Sequence, residues 1–294
     1  MLRISILAMF IPFTLSIHAQ EQSSLVDDVA FYADVVANAL EYSSKTRAND
    51  MLVESFEQLF KENPEADISE INWISQITPS DSSFTIYTWE LAESVDDHSY
   101  YGYIVRDNKL IKLSDEAEAM YDDFSYLIGD KDLWFGQIYY RLLPFKSQGE
   151  LLYLLFGYNA FDKYENIKIA EVLEFKEDGS PAFGKPLFLE DPSNVRNAKQ
   201  RIVLQYSDDS RVNLNYNPGL ESIVFDHLIR REGQLAGQGA TMIADGSYEG
   251  YSLEEGYWIY NEKLFNHVYE EAPRPNPVFD DQKGKKDIFG KSKN

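Results

Sequence analysis

The sequence contains no cysteine. This absence excludes disulfide bonds, thiolate nucleophiles and sulfur-ligated metal sites, so stability must come from burial of a core. Histidine is also scarce: the chain has four, and those beyond residue 19 are His98, His227 and His267. They are too dispersed along the sequence to predict a dedicated metal cage.

Positive charge is in short supply, because 27 lysines and arginines stand against 49 aspartates and glutamates and the formal net charge is −22. Such a surface repels nucleic acid, and the basic residues are scattered except near the C-terminus. We interpret the excess acid as an aid to solubility, with divalent-cation binding as the alternative. We therefore predict no nucleic-acid partner and no cofactor.

Beyond the N-terminal stretch, no segment has the roughly 20 apolar residues that a membrane-spanning helix needs. The N-terminus instead has one cation, Arg3, a short apolar stretch and the small residue Ala19. This order is typical of a signal peptide, so residues 1–19 are predicted to be removed and the mature chain to begin at Gln20. An N-terminal membrane anchor is the alternative. We predict a periplasmic or secreted protein with no integral membrane segment in the mature chain.

Hydrolase and nucleotide-binding motifs are missing as well. The sequence has no His-Glu-x-x-His and no Gly-x-Ser-x-Gly, since Ser247 stands one place too early in residues 246–250. The Gly290-Lys291-Ser292 segment lacks the earlier glycine that a P-loop requires, because Lys285 occupies that position. No reaction class follows from these motifs.

Two helices are predicted near the N-terminus. Apolar residues recur at steps of three and four over residues 25–40, as on one face of a helix. A second helix is predicted over residues 50–62, ended by Asn63 because the residue before a proline disfavours helical geometry. Together they predict a helical hairpin within residues 25–62.

After the hairpin the apolar period becomes two, which predicts strands. In residues 83–91 this alternation puts Trp89 on a core-facing side. Segments 133–143 and 151–158 are apolar on both faces, so they are predicted to be central strands covered on two sides. One helix, over residues 114–129, is predicted to interrupt the strands.

Three pairs of neighbouring strands are predicted to form hairpins, because polar turn residues separate them. The first turn is Asp107-Asn108 and the second contains Asp178-Gly179. In the third, residues 207–210 would join a strand over residues 202–206 to one over residues 212–216.

The predicted fold class is therefore α+β and mainly β: a helical hairpin, residues 25–62, followed by antiparallel sheets, residues 83–260, in a sandwich-like or propeller-like arrangement. We assign both parts to one globular domain, residues 20–270. Residues 271–294 are rich in proline and lysine and have few large apolar residues, which predicts a disordered tail.

Several segments together resemble a family of exported proteins from Gram-negative bacteria that has no assigned biochemical function. The segments are residues 83–91, 100–103, 133–136, 153–157, 181–184, 224–228 and 245–248. The resemblance extends over nearly the whole mature chain. It implies export and a single β-rich body, and it implies no catalytic residues.

Asp226 and His227 are the first candidates for catalysis, because imidazole titrates near neutrality and a carboxylate can orient it. Consecutive residues of a strand point to opposite faces, so each would need a partner from elsewhere. A hydrogen-bonded structural histidine is the favoured interpretation, since no nucleophile motif accompanies it.

Acidic residues supply the other candidates. Turns that contain Asp208, Asp209 and Asp245 offer oxygen ligands for calcium, but none has the spacing of an EF-hand loop, and aspartate is an ordinary turn residue. Glu171 and Glu174 suggest glycoside hydrolysis, which needs two carboxylates about 5–9.5 Å apart. On one strand these two point to opposite faces, so we interpret them as solvated or edge carboxylates.

The sequence predicts no ligand and no reaction. Our hypothesis is a non-enzymatic protein of the periplasm or cell surface that binds a ligand or has a structural role. The alternative is an envelope hydrolase acting on glycans, whose carboxylates converge only in the fold. Two carboxylates in one aromatic-lined cleft would favour the hydrolase.

Overall fold

A computed structural model of the chain describes residues 13–120, 124–235, 238–262 and 264. Strands account for 45% of it and helices for 18%. The predicted α+β, mainly β fold is confirmed, with the helices preceding the sheets. The predicted tail, residues 271–294, lies outside the described residues.

The N-terminal helices α1 (Phe13–Asn38) and α2 (Tyr42–Glu62) pack against each other as the predicted hairpin. Helix α2 begins earlier than predicted and ends before Asn63, whose N–H donates to the Leu59 carbonyl at 2.8 Å. The predicted cleavage point after Ala19 lies within the bounds of α1.

Fifteen strands and one short α-helix follow among the described residues, besides a 3₁₀-helix at Val195–Asn197. In chain order they are β1 (Ser75–Ile77), β2 (Thr85–Ala92), β3 (His98–Arg106), β4 (Lys109–Leu113), α3 (Ala117–Met120), β5 (Gly129–Asp130), β6 (Ile138–Ser147), β7 (Glu150–Asn159), β8 (Glu165–Phe175), β9 (Pro181–Phe183), β10 (Phe188–Leu189), β11 (Arg201–Ser207), β12 (Leu214–Asn217), β13 (Ser222–Arg231), β14 (Thr241–Glu254) and β15 (Tyr257–Asn261).

These strands form three sheets. Sheet 1 has the order β1-β2-β3-β4, and sheet 2 has the order β5-β9-β8-β7-β6 with β11 also paired to β8. Sheet 3 has the order β10-β15-β14-β13-β12. All pairings are antiparallel except that of β10 with β15.

The sheets stack in layers, which is the sandwich-like one of the two predicted arrangements. The helical hairpin covers one face of sheet 1, where Phe56 packs with Trp89. The other face of sheet 1 packs on sheet 2 through residues such as Ile104 and Leu155. The far face of sheet 2 packs on sheet 3 through a larger core, which includes Leu154, Val172, Phe225 and Trp258. Strand β7 is therefore covered on both faces, as predicted.

The helix predicted over residues 114–129 is wrong in extent, because α3 covers only Ala117–Met120. The chain enters this segment as extended backbone: the Ser114 N–H donates to the Lys131 carbonyl at 2.7 Å, and the Trp134 N–H to the Ser114 carbonyl at 3.1 Å. Tertiary pairing of the backbone thus replaces the first helical turn. Residues 121–123 lie outside the described residues.

The strand predicted over residues 133–143 is also corrected. Strand β6 begins at Ile138 and lies at one end of sheet 2, so it is an edge strand and not a central one. Pro144 lies inside β6, and proline is tolerated at an edge because it has no N–H to donate to a further strand.

Two of the three predicted hairpins are present. Asp107 and Asn108 have φ of 50° and 58° between β3 and β4, and Gly179 has φ of 82° between β8 and β9. The third is wrong: β11 pairs with β8, while β12 pairs with β13. The 207–210 turn joins strands that belong to different sheets.

Among the described residues, no helix combines the length and apolarity that a membrane span requires.

Candidate functional site

A cleft of about 780 Å³ opens where β6, the edge of sheet 2, meets sheet 1 and the helical hairpin. Helices α1 and α2 and strands β1, β2, β3 and β6 all contribute side chains to it. Its main polar and aromatic residues are Lys45, Trp73, Gln76, Glu90, His98 and Tyr140. We call it the β6 cleft.

A bulge in β6 fixes one wall of this cleft. Tyr139 pairs with Gly157 and Arg141 pairs with Phe156, so Tyr140 is the extra residue of the bulge. At the bulge, the Tyr139 peptide groups form hydrogen bonds with side chains of sheet 1. The Tyr139 N–H donates to Thr88 Oγ1 at 3.1 Å, and the Ser75 hydroxyl donates to the Tyr139 carbonyl. Tyr140 itself is 38% exposed.

Trp73 also lines the cleft and is 49% exposed. The other three tryptophans, Trp89, Trp134 and Trp258, are buried. The Trp73 indole N–H donates to Asp34 Oδ1 at 3.1 Å, which anchors the side chain to α1. An indole held in this way at a cleft is arranged for stacking, because its orientation is already fixed.

Glu90 and His98 form a hydrogen-bonded pair at the floor of the β6 cleft. They lie on neighbouring strands, one diagonal step apart, because Ala92 is the residue opposite His98. His98 Nδ1 lies 2.5 Å from Glu90 Oε1. This hydrogen bond raises the pKa of His98 above its ordinary value, while burial acts in the opposite direction.

The remaining polar groups of the cleft are a cation and an amide. Lys45 Nζ donates to the Ala37 carbonyl at 3.1 Å. Gln76 Oε1 is buried and has no hydrogen-bond partner among the described residues. Glu90 is the one carboxylate among the described residues that line the cleft. The cleft thus offers aromatic surface, donors and acceptors, but a single acid.

Asp226, a candidate for catalysis, has a structural environment. Its carboxylate accepts a hydrogen bond from the Asn213 N–H at 2.5 Å, and its own N–H donates to the Asn213 carbonyl at 3.2 Å. These bonds tie β13 to the start of β12. Asp226 is 8% exposed and does not pair with His227.

His227, the neighbouring candidate, lies at an irregularity of the β13–β14 pairing, opposite Asp245 to Ser247. Its Nδ1 is 2.5 Å from Glu249 Oε1, and its Nε2 is 4.0 Å from Asp245 Oδ2. The bond to Glu249 raises the pKa of His227. Two candidates that the sequence assigned to different chemistries, His227 and Asp245, are therefore brought together, on an exposed part of sheet 3.

The three aspartates proposed as calcium ligands each accept hydrogen bonds from the protein, either from another strand or from their own turn. Asp208 Oδ1 accepts from Asn166 Nδ2 at 2.9 Å, and Asp209 accepts from Arg231 Nη2 at 2.6 Å. Asp245 Oδ1 accepts from the Ser247 N–H at 2.8 Å, and the Ser247 hydrogen bonds lower the pKa of Asp245. The described residues contain no group of three histidine or acidic side chains that could hold a metal ion.

Glu171 is corrected from a solvated or edge carboxylate to a buried one. It is 1% exposed and accepts from Arg201 Nε at 3.0 Å, from the Tyr139 hydroxyl at 2.7 Å and from Gln137 Nε2 at 2.6 Å. Glu174, in contrast, binds Lys185 at the sheet periphery. The signal for burial was present in the sequence, since apolar residues flank Glu171 on both sides, at 169–170 and 172–173.

Sequence reasoning missed the β6 cleft because its residues come from separate elements. Trp73 lies in a segment with no periodic apolar pattern, and a large aromatic there was the one available signal. Glu90 and His98 are brought together only by the register of β2 and β3. No local sequence pattern could predict that these two residues would form a cleft together with residues of the helical hairpin and of β6.

Comparison with known proteins found no relative of this chain. No family model matches it, and no curated protein or solved structure is significantly similar to it. The resemblance to an exported Gram-negative family stays a prediction from the sequence.

Proposed function

We propose that this chain is an exported, non-enzymatic protein that binds glycan in the β6 cleft. The observation that carries the proposal is Trp73, the one tryptophan on the surface, anchored by Asp34 beside a cleft of about 780 Å³. Sugar rings combine an apolar face, which stacks on an indole, with hydroxyl groups that need donors and acceptors. Tyr140, Gln76 and the Glu90–His98 pair supply the complementary surface.

Export is supported by the sequence. The order of Arg3, an apolar stretch and Ala19 is that of a signal peptide, and the absence of cysteine removes any dependence on the redox state of the compartment. An envelope location also brings the protein into contact with polymeric glycans. We therefore propose the periplasm or cell surface as its site of action.

Hydrolysis of glycans is the second candidate. Glycosidases require two carboxylates about 5–9.5 Å apart across the bond that is cleaved. The described residues that line the β6 cleft include Glu90 and no other acid. This single carboxylate favours binding over hydrolysis, although the Glu90–His98 pair could accept a proton.

The test is calorimetric titration of the mature chain with tetrasaccharides of N-acetylglucosamine and of glucose. We expect at least one to bind, and Trp73→Ala to weaken that binding by about tenfold or more, as loss of a central aromatic contact does. Tyr126→Ala is the matched control, because Tyr126 is 54% exposed and does not line the cleft. Equal binding by Trp73→Ala and wild type would overturn the site. Chromatography of the same mixtures would reveal shorter sugars if the hydrolase alternative were correct.

A further inference from the structure

A second pocket, of about 380 Å³, shares Tyr140 with the β6 cleft and is lined by strands of sheet 2 and by residues 210–212, which lead from β11 to β12. This volume is within the range of about 300–1,000 Å³ typical of small-molecule sites. Its walls include three tyrosines and two cations: Tyr140, Tyr158, Tyr206, Lys168 and Arg211. We call it the tyrosine pocket.

Lys168 occupies a position where the strand pattern calls for a core residue. Along β8, Val172 and Ala170 face the core between sheets 2 and 3, and Lys168 is the next residue on that side. Its Nζ donates to the Val212 carbonyl at 2.7 Å and lies 5.7 Å from the centre of the Tyr140 ring. An ammonium group has three donors, so two remain for a ligand.

The two cations of the pocket lack carboxylate partners. Among the described residues, neither Lys168 nor Arg211 forms an ion pair within 4.0 Å, although acids outnumber bases by 49 to 27 in the chain. Burial lowers the pKa of Lys168, and the more distant Asp226 carboxylate opposes this shift only in part. The positive charge here is therefore poorly compensated by the protein itself.

We propose that the tyrosine pocket binds a small organic carboxylate with a planar apolar body. The carboxylate would lie between Lys168 and Arg211, where it supplies the missing counter-charge. The planar body would pack against the rings of Tyr140, Tyr158 and Tyr206. A multiply charged anion fits less well, because the Tyr140 and Tyr158 hydroxyls already donate to the Leu214 carbonyl and to Asn166 Oδ1, which leaves few donors beyond the two cations.

The experiment is an NMR titration of the mature chain with benzoate, and with benzamide as the neutral probe of the same shape. We expect benzoate to bind and benzamide to bind at least tenfold more weakly, because the amide lacks the charge that the two cations recognise. Rising salt should weaken benzoate binding, since part of the attraction is exposed.

Variants separate binding from folding. Arg211 is exposed, so Arg211→Gln should fold normally and weaken benzoate binding about threefold. Arg230→Gln is the matched control, because Arg230 is an exposed arginine outside the pocket. Lys168→Met should weaken binding about tenfold or more if its melting temperature shows that it folds; otherwise Arg211→Gln decides.

Three results would overturn the proposal: no binding of benzoate, equal binding of benzoate and benzamide, or an Arg211→Gln variant that behaves like Arg230→Gln. The proposal is independent of glycan binding. Trp73→Ala should leave benzoate binding unchanged, because Trp73 does not line the tyrosine pocket.

Discussion

Two tryptophans show how a residue's surroundings decide what its side chain does. Trp89 is 2% exposed, lies between Tyr101 and Tyr103 in stacked geometry, and donates its indole N–H to Asn49 Oδ1 at 2.9 Å. Trp73 is half exposed and borders the β6 cleft. The first side chain stabilises the packing of the helical hairpin on sheet 1, and the second is available to a ligand.

We predict that Trp89→Ala lowers the free energy of unfolding by about 3–5 kcal/mol, through lost burial and the cavity that remains. Trp73→Ala should cost about 1 kcal/mol or less, because its ring is already half solvated. Chemical denaturation of the two variants measures both values. Equal losses in the two variants would contradict the assignment of Trp89 to the core.

A second prediction at this scale concerns the charge of His98. Its pKa is raised above 6.5 by Glu90, so the protonated form stabilises the fold. This stabilisation is fully present below about pH 6.5, the pKa of an unfolded histidine, and is lost as pH rises through the folded pKa. Glu90→Gln should lower the pKa of His98. The free energy of unfolding of this variant should therefore no longer fall as pH rises above about 6.5.

NMR titration of the histidine ring protons measures the pKa directly. Glu249→Gln is the matched control, because Glu249 is bonded to His227 and should shift that histidine alone. A His98 pKa that is the same in wild type and Glu90→Gln would contradict the hydrogen bond.

At the scale of elements, a buried ion pair connects β8 and β11 to the irregular segment before β5. Besides Glu171, Arg201 binds the carbonyls of Phe124 at 2.5 Å, Leu127 at 2.9 Å and Phe183 at 3.2 Å. Burial raises the pKa of Tyr139 well above its ordinary value, so its hydroxyl stays protonated and donates to Glu171. One hydrogen-bond network thus connects the segment before β5 with the edge strand β6 and with strands β8 and β11 of sheet 2.

Arg201→Met alone should destabilise the protein by about 3–5 kcal/mol, because the Glu171 charge would stay buried without its partner. Glu171→Leu alone should be comparably costly. The double variant should lose less than the sum of the two, since no uncompensated charge remains. Denaturant unfolding of all three completes the cycle, and strictly additive losses would contradict the coupling.

The elements that the sequence predicted well are those fixed by local chemistry. The amphipathic period predicts the helical hairpin, and Asp107-Asn108 and Gly179 adopt the positive φ that their turns require. The β11–β12 hairpin failed for a different reason. A polar turn between two alternating segments indicates that the chain changes direction, but it does not indicate which strands pair. Strand β11 pairs with β8 instead, through seven residue pairs. Distant pairing competes with local pairing and is invisible in a short window.

The same limit applies to the candidate sites. Asp226 and His227 were chosen for their chemistry, yet each is bonded within sheet 3 and neither lines the β6 cleft. That cleft exists because an edge strand with a bulge meets a second sheet, and Pro144 was the one residue that indicated an edge. Contacts between layers depend on the whole stack, so their residues could not be grouped from sequence.

For the whole molecule, the layered order explains where binding can occur. The helical hairpin and three sheets bury their shared faces against one another. The β6 cleft opens where the hairpin, sheet 1 and sheet 2 meet, and the tyrosine pocket lies where the chain passes from sheet 2 to sheet 3. From the net charge of −22 we predict that this surface repels anionic polymers such as nucleic acid. A neutral glycan meets no such barrier.

The proposed export is tested by the N-terminal residue of the protein that cells produce. We predict that the exported protein begins at Gln20, because the small residue Ala19 ends the signal-like segment. Intact-mass measurement of protein from the periplasm or medium gives this directly. A membrane-bound protein that still carries residues 1–19 would instead support the N-terminal anchor.

The measurement that tests the central claim most directly follows the indole N–H signal of Trp73 by NMR. The chain has four tryptophans, and Trp73→Phe assigns the signal by removing it. During titration with the tetrasaccharide that binds, we predict a progressive shift of the Trp73 signal and little change in the three buried tryptophans. A bound sugar that leaves the Trp73 signal in place would contradict glycan binding in the β6 cleft.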